Sequence, residues 1–257
     1  MSEILVGADP ELFVKDAAGN MSAAIGKIGG SKQSPRACKL GALQEDNVLA
    51  EYNIDPAHSV QEWLTNNHTV RNELDVVLKP HALSTVVESS HEFTQAQLVG
   101  WGEQALQFGC DPDYNAYTMK RNASPDPYQV LRTAGGHIHV GYNKPNEETN
   151  SKIIRAMDLH LGLPSILMDG DARRRELYGN AGAFRHKVYG VEYRSLSNFW
   201  LSSSTLMEWV YNNTITAATT FNNAVSDADA RLIVQAINTN NKTLAQQLIT
   251  KYKVVTL

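Results

Sequence analysis

Four short segments place carboxylates, imidazoles and one arginine at every second position: Asp9 and Glu11; Glu51, Asn53 and Asp55; His137 and His139; Glu192 and Arg194. Side chains at i and i+2 of a strand leave from the same face, so each set shares one side of its segment. For Asp9 and Glu11 this requires a strand that continues through Pro10. The intervening positions are mostly apolar: Ala50, Tyr52 and Ile54; Ile138 and Val140; Val191 and Tyr193. Any one such strand also fits a half-buried sheet with a solvated face. Solvent faces favour Lys, Thr and Ser, however, whereas these carry Asp, Glu and His beside Gly135 and Gly141, which leave room for a ligand. Carboxylates gathered on one surface repel one another unless cations lie between them. Oxygen donors suit Mg²⁺ or Mn²⁺, and an imidazole shifts the preference towards Mn²⁺ or Zn²⁺.

A second group is basic. From Asp171 to Arg194 there are six cations (Arg173, Arg174, Arg175, Arg185, Lys187, Arg194) against three anions (Asp171, Glu176, Glu192), a local +3. This is either a solvated charged loop or, with Gly179, Gly182 and Gly190 interspersed, a clamp of guanidinium groups for phosphate oxygens. Together, a carboxylate face and an arginine clamp point to nucleoside triphosphate chemistry, with metal ions neutralising phosphate oxygens and arginines holding the transferring group. There is no Gly-x-x-x-x-Gly-Lys-Ser/Thr loop and no Gly-x-Gly-x-x-Gly after the first strand, which argues against P-loop and Rossmann proteins. No Ser/His/Asp or Cys/His arrangement stands out, and Cys38 and Cys110 read as incidental thiols.

The elements that must hold these residues follow from composition and period. The chain has 257 residues, 42% hydrophobic and 19% charged, enough for a sizeable core. Lys plus Arg total 23 and Asp plus Glu 27, a net charge of −4, which argues against nucleic acid as the main partner. Two cysteines make no disulfide framework, no apolar run is long enough to span a bilayer, and the first residues lack a basic leader, so the expected location is the cytoplasm. Strands are expected over 3–15, 47–55, 86–93, 133–142 and 188–197. Helices are expected from Ser59, with Glu62 as a capping box, to Pro80, and over 95–108, 150–168 (kinked near Gly162 and Pro164), 205–222, 227–238 and 243–252. Residues 26–41 form either a surface loop or a lid, 111–127 a polar loop suited to substrate selection, and 169–187 a long arginine-bearing loop. Trp63, Trp101 and Trp209 fall in helical patterns and read as core, whereas Trp200 follows the Arg194 strand and is placed to line a site. Strands separated by helices without regular βαβ units suggest an α+β protein with an antiparallel sheet.

The segment Val191-Glu192-Tyr193-Arg194-Ser195-Leu196 resembles the Glu-x-Arg-Ser-Leu strand of bacterial glutamate–cysteine ligases, members of the glutamine synthetase-like carboxylate–amine ligases. Gly7-Ala8-Asp9-Pro10-Glu11, Glu45-Asp46-Asn47-Val48-Leu49-Ala50-Glu51 and Gly135-Gly136-His137-Ile138-His139-Val140-Gly141 fall in the order that superfamily uses. More narrowly, the set is similar to the phage amidoligases, the COOH–NH₂ ligase type 2 family, over about Gly7 to Trp200. The resemblance implies one domain over 1–257 with a curved antiparallel sheet, a polar concave active-site face, helices on the other face and a helical C-terminal part from about 203. It implies ATP with Mg²⁺ or Mn²⁺ as cofactors, and Asp9, Glu11, Asp46, Glu51, His139 and Glu192 as metal ligands. Glutamate is common in the family where this chain has Asp9. The resemblance further implies that Arg194 contacts phosphate, with Arg185 and Arg173 or Arg175 helping to stabilise its charge, and that His137 is either a second metal ligand or a neighbour of the nucleotide. With Lys187 of the basic stretch these are the residues expected to face the nucleotide, and Arg194, Arg185 and Glu192 the catalytic set. The implied reaction joins a carboxylate to an amine through an acyl phosphate. Its substrates would be small molecules or peptides, acted on in the host cytoplasm if a phage encodes the chain, and a homo-oligomer stays open.

Three other readings compete. A guanidino kinase-like phosphotransferase would share the sheet but release a phosphorylated product. A metal-dependent hydrolase would use His137 and His139 with zinc and need no ATP. A binding module would hold ATP without turnover.

Overall fold

The computed structural model describes residues 3–107, 113–123, 129–223 and 225–257. In chain order its strands and helices are β1 (Leu5–Asp16), β2 (Met21–Ser22), β3 (Arg36–Cys38), β4 (Gly41–Asp46), β5 (Leu49–Ile54), α1 (Val60–Leu78), β6 (Leu83–Val86), β7 (Ser90–Glu92), α2 (Gln95–Gly100) and α3 (Glu103–Leu106). There follow β8 (Tyr114–Asn115), β9 (Leu131–Thr133), β10 (Gly136–Gly141), α4 (Glu147–Met157), α5 (Leu163–Met168), α6 (Arg174–Leu177), β11 (Ala183–Lys187), β12 (Gly190–Tyr193), α7 (Ser204–Thr220), α8 (Asp227–Asn238) and α9 (Lys242–Tyr252).

One antiparallel sheet runs β3–β4–β5–β1–β10–β12–β11–β8, with β2 and β6 paired to the far end of β1. β1 continues through Pro10, as the shared face of Asp9 and Glu11 requires. Register then decides the chemistry, because opposed residues of an antiparallel pair lie side by side on one face. Glu11 stands opposite Glu51, and Glu51 opposite Gln44. Asp9 stands opposite His137. His139 stands between Gly7 and Glu192, and Glu192 between His139 and Arg185. All four polar segments therefore occupy the same side of the sheet.

The other side is apolar and covered. Val6, Ala8, Leu12, Tyr52, Ile138, Val140, Val191 and Tyr193 pack with Trp63 and Leu74 of α1, Ile154 of α4 and Val210 of α7. Each fully buried aliphatic side chain contributes about 1.5–3 kcal/mol. The helices thus hold the sheet by its apolar face and leave the polar face open. A second cluster joins α5, α8 and α9 through Leu163, Ile166, Ile233, Ile237 and Leu248. Phe13, two residues beyond Glu11 on the polar face, is capped by Phe93, Ala23 and Val48, which closes that end. Among the described residues no helix is long and apolar enough to cross a membrane.

Several expected elements change on folding. Ser59 does cap α1, accepting from Glu62 N–H, but the Glu62 carboxylate turns to His58 N–H rather than that of Ser59. The helix expected over 95–108 is two short ones, broken at Gly102 (φ 93°), and Phe108 lies outside the described residues. The 150–168 helix begins earlier, at Glu147, and its kink is a π-helical stretch, Asp158–Gly162, leading into Pro164. A proline lacks the N–H that would continue the α ladder. The 86–93 strand is split between β6 and β7, and the 188–197 strand is confined to β12, because Val188 and Tyr189 form the turn from β11. The loops at 26–41 and 169–187 are shorter than expected, since β3, α6 and β11 form within them.

Candidate active site

The polar face forms one wall of a cleft of about 590 Å³. Asp9, Glu11, Asp46, Glu51, His137, His139, Arg185, Lys187 and Arg194 all line it. Glu192 is fully buried and pairs with two of these cations. Ten of the twelve candidates from the sequence are thus brought together. Arg173 and Arg175 are not among the lining residues. Arg173 is half-exposed beside Asp171, 3.5 Å away, and Arg175 Nη2 donates to Ser165 Oγ of α5 at 3.1 Å. Lys32 and Pro35 are the residues of the 26–41 loop that reach the cleft. The start of that loop is held by Glu45, whose carboxylate accepts from Gly26, Ile28 and Gly29 N–H. Trp200 does not line the cleft: it is fully buried, stacked on Trp63 at 5.4 Å, and donates to Gly136 O. Cys110 and the ends of the 111–127 loop lie outside the described residues.

The cleft has two electrostatic halves. In one, Asp9, His139 and Glu192 each offer a donor atom within 4.8 Å of the others. Asp9 Oδ1 and His139 Nε2 lie 3.1 Å apart, and His137 Nδ1 is 3.4 Å from the same oxygen. Asp9 Oδ1, His139 Nε2 and Glu192 Oε2 are buried without an aligned hydrogen bond, although Lys187 Nζ stands 2.7 Å from Glu192 Oε2. Burial opposes the charge on Asp9, but the imidazoles of His139 and His137 outweigh it and hold the carboxyl well below the usual range. Burial likewise opposes the charge on Glu192, and Arg194 more than compensates, bringing its carboxyl down to about 2. Burial pulls the His139 imidazole down, and Asp9 more than reverses this, so its net shift is upward.

In the other half the carboxylates crowd one another. Burial pushes Glu51 well above the ordinary carboxylate value, and the charges of Asp46, Asp9 and Glu11 push it further. Asp46 is raised by burial and then by Glu11. Such mutual repulsion is what divalent cations relieve. The donor set, carboxylate oxygens with one imidazole nitrogen, fits Mg²⁺ or Mn²⁺.

Residues outside the four strands complete the site. Asp113 Oδ1 lies 2.5 Å from Arg194 Nε and 3.8 Å from Arg185 Nε, joining the two arginines. Arg194 Nη1 also meets Glu192 Oε1 and stands 3.2 Å from His137 Nδ1. Tyr189, at the β11–β12 turn, places its hydroxyl 2.9 Å from His139 Nδ1, which leaves Nε2 turned to Asp9. Arg174, between the two arginines singled out by sequence, is buried, and its Nη1 and Nη2 donate to Ser195 O and Arg194 O at 3.0 and 3.1 Å. A run of three arginines marks this stretch but not which one turns inward. Asp113 lies in the 111–127 loop that the sequence marks for substrate selection, but nothing in the sequence singles it out within that loop, and Tyr189 carries no signal of its own.

Residues 112–251, more than half of the chain, match the family described as phage phiEco32-like COOH.NH2 ligase-type 2. The match contains Asp113, His137, His139, Arg174, Arg185, Lys187, Glu192 and Arg194, whereas Asp9, Glu11, Asp46 and Glu51 precede it. A comparison with curated proteins gives no match.

Proposed function

The chain belongs to the phage phiEco32-like COOH–NH₂ ligase type 2 family, in general terms an enzyme that joins a carboxylate to an amine, and from that premise we propose that it does so at the expense of ATP, through an acyl phosphate, in the cleft on the polar face. The observation that carries this reading is the juxtaposition of the Asp9–His139–Glu192 donor set with Arg185, Lys187 and Arg194 on one wall. The proposal extends to one catalytic domain of the glutamine synthetase-like fold over 1–257, supported by the single antiparallel sheet with helices on its apolar face, and to action in the cytoplasm.

Asp9, His139 and Glu192 would hold one divalent ion, and Glu11, Asp46 and Glu51 further positive charge. Ions held there supply Lewis-acid charge beside phosphate oxygens. Arg194 is aimed by Asp113 on one side and Glu192 on the other, so its guanidinium is set before substrate arrives. With Arg185 it would stabilise the charge on the transferring phosphoryl group. The substrate carboxylate takes the γ-phosphoryl group, and ADP leaves. The amine then attacks the acyl carbon, the bond to the phosphate oxygen breaks, and inorganic phosphate departs as the nitrogen loses a proton. No protein nucleophile takes part.

The test is a panel of carboxylates and amines with ATP and Mg²⁺ or Mn²⁺, scored for free phosphate. The ligase predicts phosphate release that depends on an amine. Phosphate transfer to a stable product would identify a phosphotransferase instead. Glu192→Gln and His139→Ala are expected to abolish turnover while the folded far-UV circular dichroism survives, and normal turnover in either would refute the site.

A further inference from the structure

The helical side of the molecule holds a second cavity, of about 390 Å³, whose lining shares no residue with the cleft. That volume is in the range of small-molecule sites. One wall is a single face of α4 and of the π-helical stretch that continues it, where Lys152, Arg155, Ala156, Leu159 and His160 succeed one another at intervals of three and four. A π-helical turn is a rare geometry that frequently marks functional sites. Ala230 and Ile233 of α8, Tyr252 of α9, and Phe221 and Val225 between α7 and α8 supply most of the remainder. Tyr117 completes the lining. It belongs to the 111–127 loop that the sequence marks for substrate selection, yet it reaches this cavity and is not among the residues of the cleft.

Arg155 is set in place before any ligand arrives. Its Nε and Nη2 both donate to Ala116 O, at 3.0 and 2.8 Å, and its guanidinium carbon stands 5.2 Å from the centre of the Tyr117 ring. A guanidinium held over an aromatic face and tied at one edge keeps its other edge for a planar anion. Among the described residues Nη1 makes no hydrogen bond and no carboxylate pairs with Arg155. Lys152 adds a second cation beside it. Its bond to Glu148, at 2.6 Å, is an exposed contact along α4 that an incoming anion can outcompete. The carboxylate in the lining is Asp227, in the first turn of α8, where the free N–H groups of the helix already offset its charge. Asp229, the next carboxylate along α8, is held by Lys251 and by the Tyr252 hydroxyl.

The rest of the lining is apolar or aromatic. Leu159 and Ile233 are buried in the cluster that joins α5, α8 and α9, and Tyr117, Val225 and Tyr252 pack against it. Three rings, those of Tyr117, Phe221 and Tyr252, face one space. Rings of this kind favour an aromatic partner by edge or offset stacking. The cations fix the charge of the ligand and the rings fix its body.

We propose that this cavity is a second ligand site, separate from the cleft, that takes a small aromatic carboxylate, with the carboxylate on Arg155 and Lys152 and the ring among Tyr117, Phe221 and Tyr252. The assignment does not depend on the ligase reading.

The experiment is titration calorimetry on the full chain with three probes: 3-phenylpropionate, 3-phenylpropanol, which keeps the ring without the charge, and butyrate, which keeps the charge without the ring. 3-Phenylpropionate is expected to bind tenfold or more tightly than either control, and to remain bound when the cleft is saturated with Mn²⁺ and a non-hydrolysable ATP analogue. Arg155→Gln is expected to reduce its affinity to that of the alcohol. Ala230→Phe, which leaves Arg155 untouched and places a ring inside the cavity, is expected to abolish binding while the far-UV circular dichroism is unchanged. Equal binding of all three probes by the unaltered protein overturns the proposal without recourse to any variant. Displacement by the nucleotide overturns it by placing the probe in the cleft, and so does binding that survives in Ala230→Phe.

Discussion

Asp158 offers a prediction whose size follows from the structure. It lies in the π-helical stretch behind the sheet, fully buried, and its Oδ1 accepts from Tyr193 OH at 2.7 Å and from Ser195 Oγ at 3.4 Å. It therefore anchors, from the apolar side, the strand that presents Glu192 and Arg194 on the other. Burial pushes its carboxyl from 3.8 to about 7, only partly offset by the hydroxyls of Tyr193 and Tyr117. In the folded chain the group is neutral at pH values where the unfolded chain has already ionised it. Its contribution is complete below about pH 4 and is lost as pH rises to about 7, because there the unfolded state binds fewer protons than the folded one. At about 1.4 kcal/mol per pH unit the loss totals about 4 kcal/mol. Asp158→Asn keeps an acceptor for Tyr193 and removes the ionisation. Urea unfolding followed by tryptophan fluorescence, with both proteins at matched ionic strength, would give the variant-minus-parent stability at each pH. That difference is expected to grow by about 3 kcal/mol between pH 5 and pH 7 and then level off. A difference that stays flat over this range would show that Asp158 ionises freely in the fold and would refute the reasoning.

Tyr189→Phe removes the hydroxyl from His139 Nδ1; Mn²⁺ affinity by calorimetry is expected to fall about 10–100-fold with the fold unchanged, and unaltered affinity would deny Tyr189 an orienting role. Arg194→Ala should mainly lower the rate of phosphoryl transfer, and Asp113→Asn, which loosens the same guanidinium, should lower kcat more than it raises the KM for ATP. If Arg194→Ala instead abolishes nucleotide binding and leaves the chemical rate intact, the role assigned to it is wrong. Mn²⁺ at about a hundredfold over its dissociation constant is expected to stabilise the protein by about 2.7 kcal/mol, with chelator reversing the gain; no shift in thermal unfolding would count against the metal site.

Much of the fold was legible because period and capping are local. The alternation at Glu51, His137, His139 and Glu192 announced strands with one polar face. Ser59 and Pro80 bounded α1, and the apolar spacing in 227–238 and 243–252 marked α8 and α9. The breaks were less legible. Gly102 and Pro164 are local signals, but whether they end, kink or re-pitch a helix depends on what packs around them. Trp200 was misplaced because strand-proximal sequence says nothing about which face a following 3₁₀ turn buries.

The sequence by itself determined which residue types could do chemistry and that each pair faced one way, since both follow from the geometry of a single strand. Only the tertiary structure decided that the pairs meet. Asp9, His139 and Glu192 are far apart along the chain and converge through the register of β1, β10 and β12. Likewise, of three consecutive arginines the fold turns Arg174 inward and leaves Arg173 and Arg175 elsewhere, because successive residues of a helical turn point about 100° apart and only packing sets the phase. Asp113 and Tyr189 reach the site from a loop and a turn, where no periodicity exists to announce them.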